Sequence, residues 1–128
     1  MVPAIEPSYC VLVVEDEFLL AENIAETLRE HGFDVCTVAN VGDALRHLAS
    51  GCPCDVLFTD VDLHDRLDGT ALSRLARELR PQLPVVYASG AVASLDQLKA
   101  VPDASFVPKP YDPDEVCEML TKAASTRH

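Results

Sequence analysis

Four apolar runs in this chain stop abruptly at groups that can do chemistry. Tyr9-Cys10-Val11-Leu12-Val13-Val14 runs into Glu15-Asp16-Glu17, and Val56-Leu57-Phe58-Thr59 runs into Asp60. Pro84-Val85-Val86-Tyr87-Ala88 delivers Ser89-Gly90, and Ala104-Ser105-Phe106-Val107 delivers Pro108-Lys109-Pro110. Carboxylates brought together repel one another, so a buried acidic cluster persists only around something cationic. Asp16 and Asp60 offer hard oxygens of the kind that suit Mg²⁺, which binds through one or two carboxylates plus waters and a phosphate. A hydroxyl (Ser89) and an ammonium (Lys109) opposite the metal are what a transferred phosphoryl group needs, because its charge is spread over peripheral oxygens. Taken alone, Asp60 could do no more than cap the loop that follows it. The chemistry depends on elements that bring all five side chains to one edge.

The runs are short, apolar and rich in β-branched residues, as expected of strands buried on both faces of a parallel sheet. Asp34-Val35-Cys36-Thr37-Val38 reads as a further strand, second in chain order. Between the strands the period changes. Phe18, Ala21, Ile24, Ala25 and Leu28 recur at helical spacing, with Glu22, Glu26, Arg29 and Glu30 opposite, and Gly32 stops that helix. Asn40 caps a second helix that carries Ala44, Leu45 and Leu48 inward until Gly51. Ala71, Leu72, Leu75, Ala76 and Leu79 mark a third, ended by Pro81. Ser94-Leu95-Asp96-Gln97 opens a short, weakly apolar fourth helix that Pro102 cuts off, the least stable element expected. Asp112-Pro113-Asp114-Glu115 is a strong helix start, and Val116, Met119, Leu120 and Ala123 then face the core.

Five strands alternating with five helices imply an α/β fold: a doubly wound parallel sheet with helices on both faces and right-handed crossovers. The common flavodoxin-like order for five such units is 2-1-3-4-5, whose switch point lies between strands one and three. That order sets Glu15 and Asp16 beside Asp60, with Ser89 and Lys109 on the same sheet edge.

Composition narrows the function. A chain of 128 residues fits one domain, expected over 9–124 after an unstructured Met1 to Ser8 and before a short tail, 125–128. A net charge of -11, with scattered basic residues, argues against DNA or an anionic membrane as partner. Neither a signal peptide nor a bilayer-length apolar run is present. Five cysteines, of which Cys10 and Cys36 fall in expected buried strands, suggest reduced thiols in a cytoplasmic protein. Cys52-Pro53-Cys54 lacks the second ligand pair a zinc site requires. His31, His47 and His128 read as surface residues.

Val13-Val14-Glu15-Asp16-Glu17, Phe58-Thr59-Asp60, Ala88-Ser89-Gly90 and Val107-Pro108-Lys109-Pro110, in this order and spacing, resemble a response-regulator receiver domain of two-component signalling. The resemblance covers residues 9 to about 124. It implies that Asp60 accepts a phosphoryl group from the phosphohistidine of a histidine kinase or histidine phosphotransfer protein. Asp16 would bind Mg²⁺ directly, Glu15 through water, and Asp62 through its backbone carbonyl. Ser89 and Lys109 would hold phosphoryl oxygens, Phe106 would be the switch aromatic, and Asp62 and Ala91 would flank the path of the water that removes the phosphoryl group. The Lys109-Pro110 bond would be cis. The output would be a protein partner on the face made by the fourth helix, fifth strand and fifth helix, and a phosphorylation-dependent dimer is compatible with it. The family's members are signalling domains that catalyse only their own phosphorylation and dephosphorylation.

This chain departs from the family pattern in places. Glu15 replaces the commoner Asp, His64 stands where many members have Pro, the loop to Asp68-Gly69 is one residue longer than the shortest form, and Phe106 lacks a Tyr hydroxyl. Two other functions compete. A haloacid-dehalogenase-like phosphohydrolase would share the Asp60 and Asp62 pair, but there the acidic pair follows the lysine, and this chain has no room for a cap domain. A phosphorylation-independent docking module would be free to lose the Asp, Ser and Lys set that is intact here. The sequence reads either as a stand-alone receiver or as a piece of a hybrid kinase or longer regulator.

Overall fold

The computed structural model of the protein describes residues 8–90 and 100–125. The helix expected from Ser94, and Ala91, lie outside the described residues, as does His128. In chain order the elements are β1 (Cys10–Val14), α1 (Phe18–Glu30), β2 (Asp34–Val38), α2 (Val41–Ala49), β3 (Val56–Asp60), α3 (Gly69–Leu79), β4 (Val85–Ser89), β5 (Ser105–Pro108) and the C-terminal helix α4 (Pro113–Ser125). All strand pairs are parallel, in the order β2-β1-β3-β4-β5 that the alternation implies.

Strand alternation divides the core into two layers. Leu12, Val14, Leu57, Val85 and Tyr87 face α2 and α3, where Val41, Ala44, Leu48, Leu72 and Ala76 meet them. Val11, Val13, Val56, Phe58, Val86 and Ala88 face the other way, onto Ile24 and Leu28 of α1 and Val116, Cys117 and Leu120 of α4. The central strands β3 and β4 are buried along their whole length, which is why both read as continuous apolar runs.

The helix ends follow the expected chemistry. Asn40 Oδ1 accepts from the Asp43 N–H at 2.8 Å, and Asp112 Oδ1 accepts from the Asp114 N–H at 3.0 Å. Gly32 and Gly51 have φ of 92° and 84°, the left-handed conformation that ends a helix at little steric cost to glycine. Ser8, at the edge of the expected N-terminal segment, donates its hydroxyl to the Gly32 carbonyl at 3.1 Å.

Several expectations are corrected. Phe18 continues the apolar stripe of α1 yet is 73% exposed, because the first turn starts beyond the strand ends and has no sheet beneath it. Leu79, in the last turn of α3, is likewise exposed. Cys10 and Cys36 are only half-buried, since one opens its strand and the other lies on the edge strand β2; the buried thiols are Cys54 and Cys117. Among the described residues none of the five cysteines is in a disulfide. His47 is half-buried, its Nδ1 3.7 Å from Cys36 Sγ. Among the described residues no helix is long and apolar enough to cross a membrane.

Candidate functional site

Two neighbouring strands present the acids. Val14 of β1 pairs with Thr59 of β3, so the next residues, Glu15 and Asp60, leave the sheet side by side. Glu15, Asp16 and Asp60 each offer an oxygen, and these oxygens lie within 4.8 Å of one another. Glu15 and Asp60 are buried, and Asp16 is partly exposed at the mouth.

The cation comes from β5. Lys109 follows that strand, its N–H donating to the Ser89 carbonyl at 2.8 Å, and the Lys109-Pro110 bond is cis. Its ammonium crosses the end of β4 to reach Asp60 Oδ2 at 2.8 Å and Glu15 Oε1 at 3.6 Å. Ser89, at the end of β4, is 2% exposed. Asp60 Oδ1 accepts the Asp62 N–H at 3.1 Å, while the Asp62 side chain faces solvent. Four of the five expected side chains, Glu15, Asp16, Asp60 and Lys109, therefore meet at one edge, and Ser89 stands at the end of β4 whose backbone Lys109 joins. Phe106 on β5 is half-buried against the core layer that contains Tyr87 and Val101.

One ammonium does not neutralise three acids. Burial, followed by a proton shared with Asp60 and the charges of Asp60 and Asp16, pushes Glu15 up to about 7, against the opposing pull of Lys109. Glu15 Oε2 is buried and receives no hydrogen bond from any described residue. An oxygen of this kind, inside a cluster of carboxylate ligands, fits a small hard divalent cation that either touches it or holds a water against it. Lys109 is partly buried, which works against its charge, but its bond to Asp60 raises it overall. Tyr111 closes the inner side, its ring edge-on to Phe58 at 5.7 Å, and burial and then Glu15 push its hydroxyl up.

Three further residues, to which the sequence assigns no role at the site, shape it. His64 Nδ1 lies 2.6 Å from Asp16 Oδ2, from a loop position with φ of 46°. The sequence signal was only that His64 stands where Pro is commoner. Gly69, the first residue of α3, donates its N–H to the Val61 carbonyl at 2.9 Å; a Cβ there would lie 2.1 Å from the Asp60 carbonyl oxygen. Asp68 caps α3, its Oδ1 accepting from Ala71 N at 2.9 Å and from the Thr70 hydroxyl at 2.7 Å. Partial burial would raise its carboxyl, but these bonds hold it below the usual range. The Asp68-Gly69 pair is thus a cap followed by the one residue small enough to let α3 abut the end of β3.

Comparison with known proteins agrees with this geometry. The sequence profile of the response regulator receiver domain matches residues 11–121. A curated relative, the nitrogen assimilation regulatory protein NtrX of Azorhizobium caulinodans, is 28% identical over 91% of this chain and 26% of its own length. The DNA-binding transcriptional regulator NtrC of Escherichia coli is 32% identical over 90% of this chain and 24% of its own length. The chain thus spans about a quarter of the length of these relatives. The crystal structure of a response regulator receiver protein from Sinorhizobium medicae superposes with a TM-score of 0.86, at 30% identity, over 94% of this chain and 98% of that one. Fold, strand-end acids and profile converge, and the chain belongs to the response regulator receiver domain family of two-component signalling, whose function is to accept a phosphoryl group.

Proposed function

We propose that Asp60 is the phosphoryl acceptor and that residues 9–124 form the unit that reads its modification. The observation that carries this is the buried Asp60 carboxylate held between the Asp62 N–H and the Lys109 ammonium, beside a Glu15 oxygen that no described residue satisfies. An Asp60 oxygen attacks the phosphorus of a phosphohistidine on a kinase or phosphotransfer protein. The P–N bond breaks, the imidazole leaves and takes up a proton, and an acyl phosphate remains. Asp16 and Asp60 through carboxylate oxygens, Asp62 through its carbonyl and Glu15 through a water would hold Mg²⁺, which when bound neutralises charge on the phosphoryl oxygens. Lys109 transfers its pairing from the free carboxylate to a phosphoryl oxygen, and Ser89 donates its hydroxyl to another.

The modification adds nearly two negative charges and new acceptor oxygens where Lys109 and Ser89 sit, so β4 and β5 are drawn inward at their ends. Phe106 follows on β5, and the output face is the one that β5 shares with α4. Asp62 and Ala91, the latter outside the described residues, are the positions that tune hydrolysis. The domain turns over no external substrate. Its partners are the phosphohistidine donor and a downstream protein, in the cytoplasm, and the net charge of -11 disfavours direct contact with DNA or an anionic membrane. A phosphorylation-dependent dimer is one form its output can take.

Intact mass after incubation with Mg²⁺ and acetyl phosphate tests this. One added phosphoryl group in the wild type, lost in Asp60→Asn and with EDTA, supports it. No adduct with a partner still bound would favour the docking module, and steady turnover of small phosphoesters would favour the phosphohydrolase.

A further inference from the structure

His64 lies at the mouth of the acidic pocket, in the loop between β3 and α3. Its Nδ1 is 2.6 Å from Asp16 Oδ2, and its side chain is 78% exposed. Its backbone has φ of 46°, a conformation that side chains with a Cβ adopt rarely and at a cost. A ring that is mostly in solvent gains little from burial, so what holds it over the pocket is its contact with the Asp16 carboxylate. The pocket itself carries a separate sign of an unmet partner, the buried Glu15 Oε2 that accepts no hydrogen bond from any described residue.

We infer that His64 supplies an imidazole nitrogen to the cation of this pocket, turning an all-oxygen site into a mixed nitrogen and oxygen site that ranks Mn²⁺ well above Mg²⁺. This rests on reading the pocket as a divalent-cation site. The Nδ1–H donates to the Asp16 carboxylate. A divalent ion on Asp16 displaces that proton, which passes to Nε2 through water or is lost to solvent, and leaves a lone pair on a nitrogen already touching a metal-binding oxygen. The ring, mostly in solvent, is free to turn toward the ion. Mg²⁺ is hard, prefers oxygen and dehydrates reluctantly, so it gains little from imidazole. Mn²⁺ accepts the same carboxylates and lies on the series whose affinity for nitrogen donors rises from it onwards. Mn²⁺ is also the appropriate probe for a chain whose five cysteines lie outside any disulfide, because it is the first-row ion that competes least for sulfur.

The experiment uses the intact 128-residue chain loaded with Mn²⁺. Electron spin-echo spectroscopy reads whether a ¹⁴N nucleus modulates the Mn²⁺ signal, and competition titration reads the Mn²⁺ to Mg²⁺ affinity ratio. The variants are His64→Asn, which tolerates the left-handed backbone and keeps a hydrogen bond to Asp16, and Asp16→Asn. Nitrogen modulation in the wild type should vanish in His64→Asn. Mn²⁺ affinity should fall there by about tenfold or more, while Mg²⁺ affinity should stay within about threefold. Equal weakening of both ions without nitrogen modulation in the wild type would make His64 a support for Asp16 and overturn the inference. So would modulation that survives in His64→Asn, or Mn²⁺ binding that Asp16→Asn leaves intact. No Mn²⁺ or Mg²⁺ bound by the wild type would overturn the cation reading of the pocket as well, which separates the two failures.

Discussion

The ammonium of Lys109 sits 2.8 Å from Asp60 Oδ2 and 3.6 Å from Glu15 Oε1, so one cation serves two buried carboxylates from neighbouring strands. If Asp60 accepts the phosphoryl group, that ammonium is the protein's own charge facing the oxygens that gain charge in transfer. Lys109→Met should then slow modification of Asp60 by acetyl phosphate about 100-fold, the scale of losing one oriented donor. Time-resolved intact mass at saturating Mg²⁺ reads it. A rate within about twofold of wild type would remove Lys109 from the chemistry.

Glu15 makes stability depend on pH when no cation is bound. Its carboxyl titrates near 4.5 in an unfolded chain and near 7 in the folded one, where burial, Asp60 and Asp16 oppose its charge and only Lys109 favours it. Between those values the folded state binds more protons, so the contribution is fully present below pH 4.5 and is lost as pH rises through 7. In EDTA, the melting temperature of wild type should therefore fall relative to Glu15→Gln across that window. Mg²⁺ at millimolar concentration should flatten the difference, because it displaces the same proton. Parallel profiles in EDTA would show that folding leaves the Glu15 carboxyl where it stands in the unfolded chain.

Gly69→Ala tests how closely α3 is seated on the end of β3. The added carbon would lie 2.1 Å from the Asp60 carbonyl oxygen and 3.0 Å from Val61 Cα, and both are backbone atoms that cannot swing aside. The helix must retreat, at a cost of about 1–3 kcal/mol in denaturant unfolding. Because the retreat pulls on the residue after β3, labelling of Asp60 should slow as well. Unchanged stability would mean that the first turn of α3 has slack.

The strand-end residues were legible because each follows a run whose composition admits only a buried strand, and the sheet order then dictates which ends are neighbours. Gly32, Gly51, Asn40 and Asp112 were legible because caps act within a few residues of themselves. What stayed hidden depends on contacts between distant segments. Tyr87 reads as one more apolar strand residue, yet its hydroxyl bonds to Ser73 on α3 and lies 3.4 Å from the Val101 N–H, each 14 positions away. His64 reaches Asp16 across 48 positions through a loop whose turn no periodicity encodes. Phe18 misleads for the opposite reason, since helical spacing says which residues share a stripe but not how far the sheet extends beneath it.

That overhang has a consequence for the phosphohistidine donor. Phe18 and Leu19 are 73% and 80% exposed and adjoin Glu17 and Asp16, while Leu20 lines an apolar groove with Ile24, Pro110, Tyr111 and Pro113. A protein that places its phosphohistidine on Asp60 must cover this rim, whereas acetyl phosphate need not. Changing Phe18 and Leu19 together to Ser should leave stability within about 0.5 kcal/mol, as for surface positions that pack against nothing. Labelling by acetyl phosphate should be unaltered, and transfer from a phosphorylated kinase domain should slow because complex formation weakens. Loss of both reactions would place the two residues in the chemistry itself, and loss of neither would put the donor on another face.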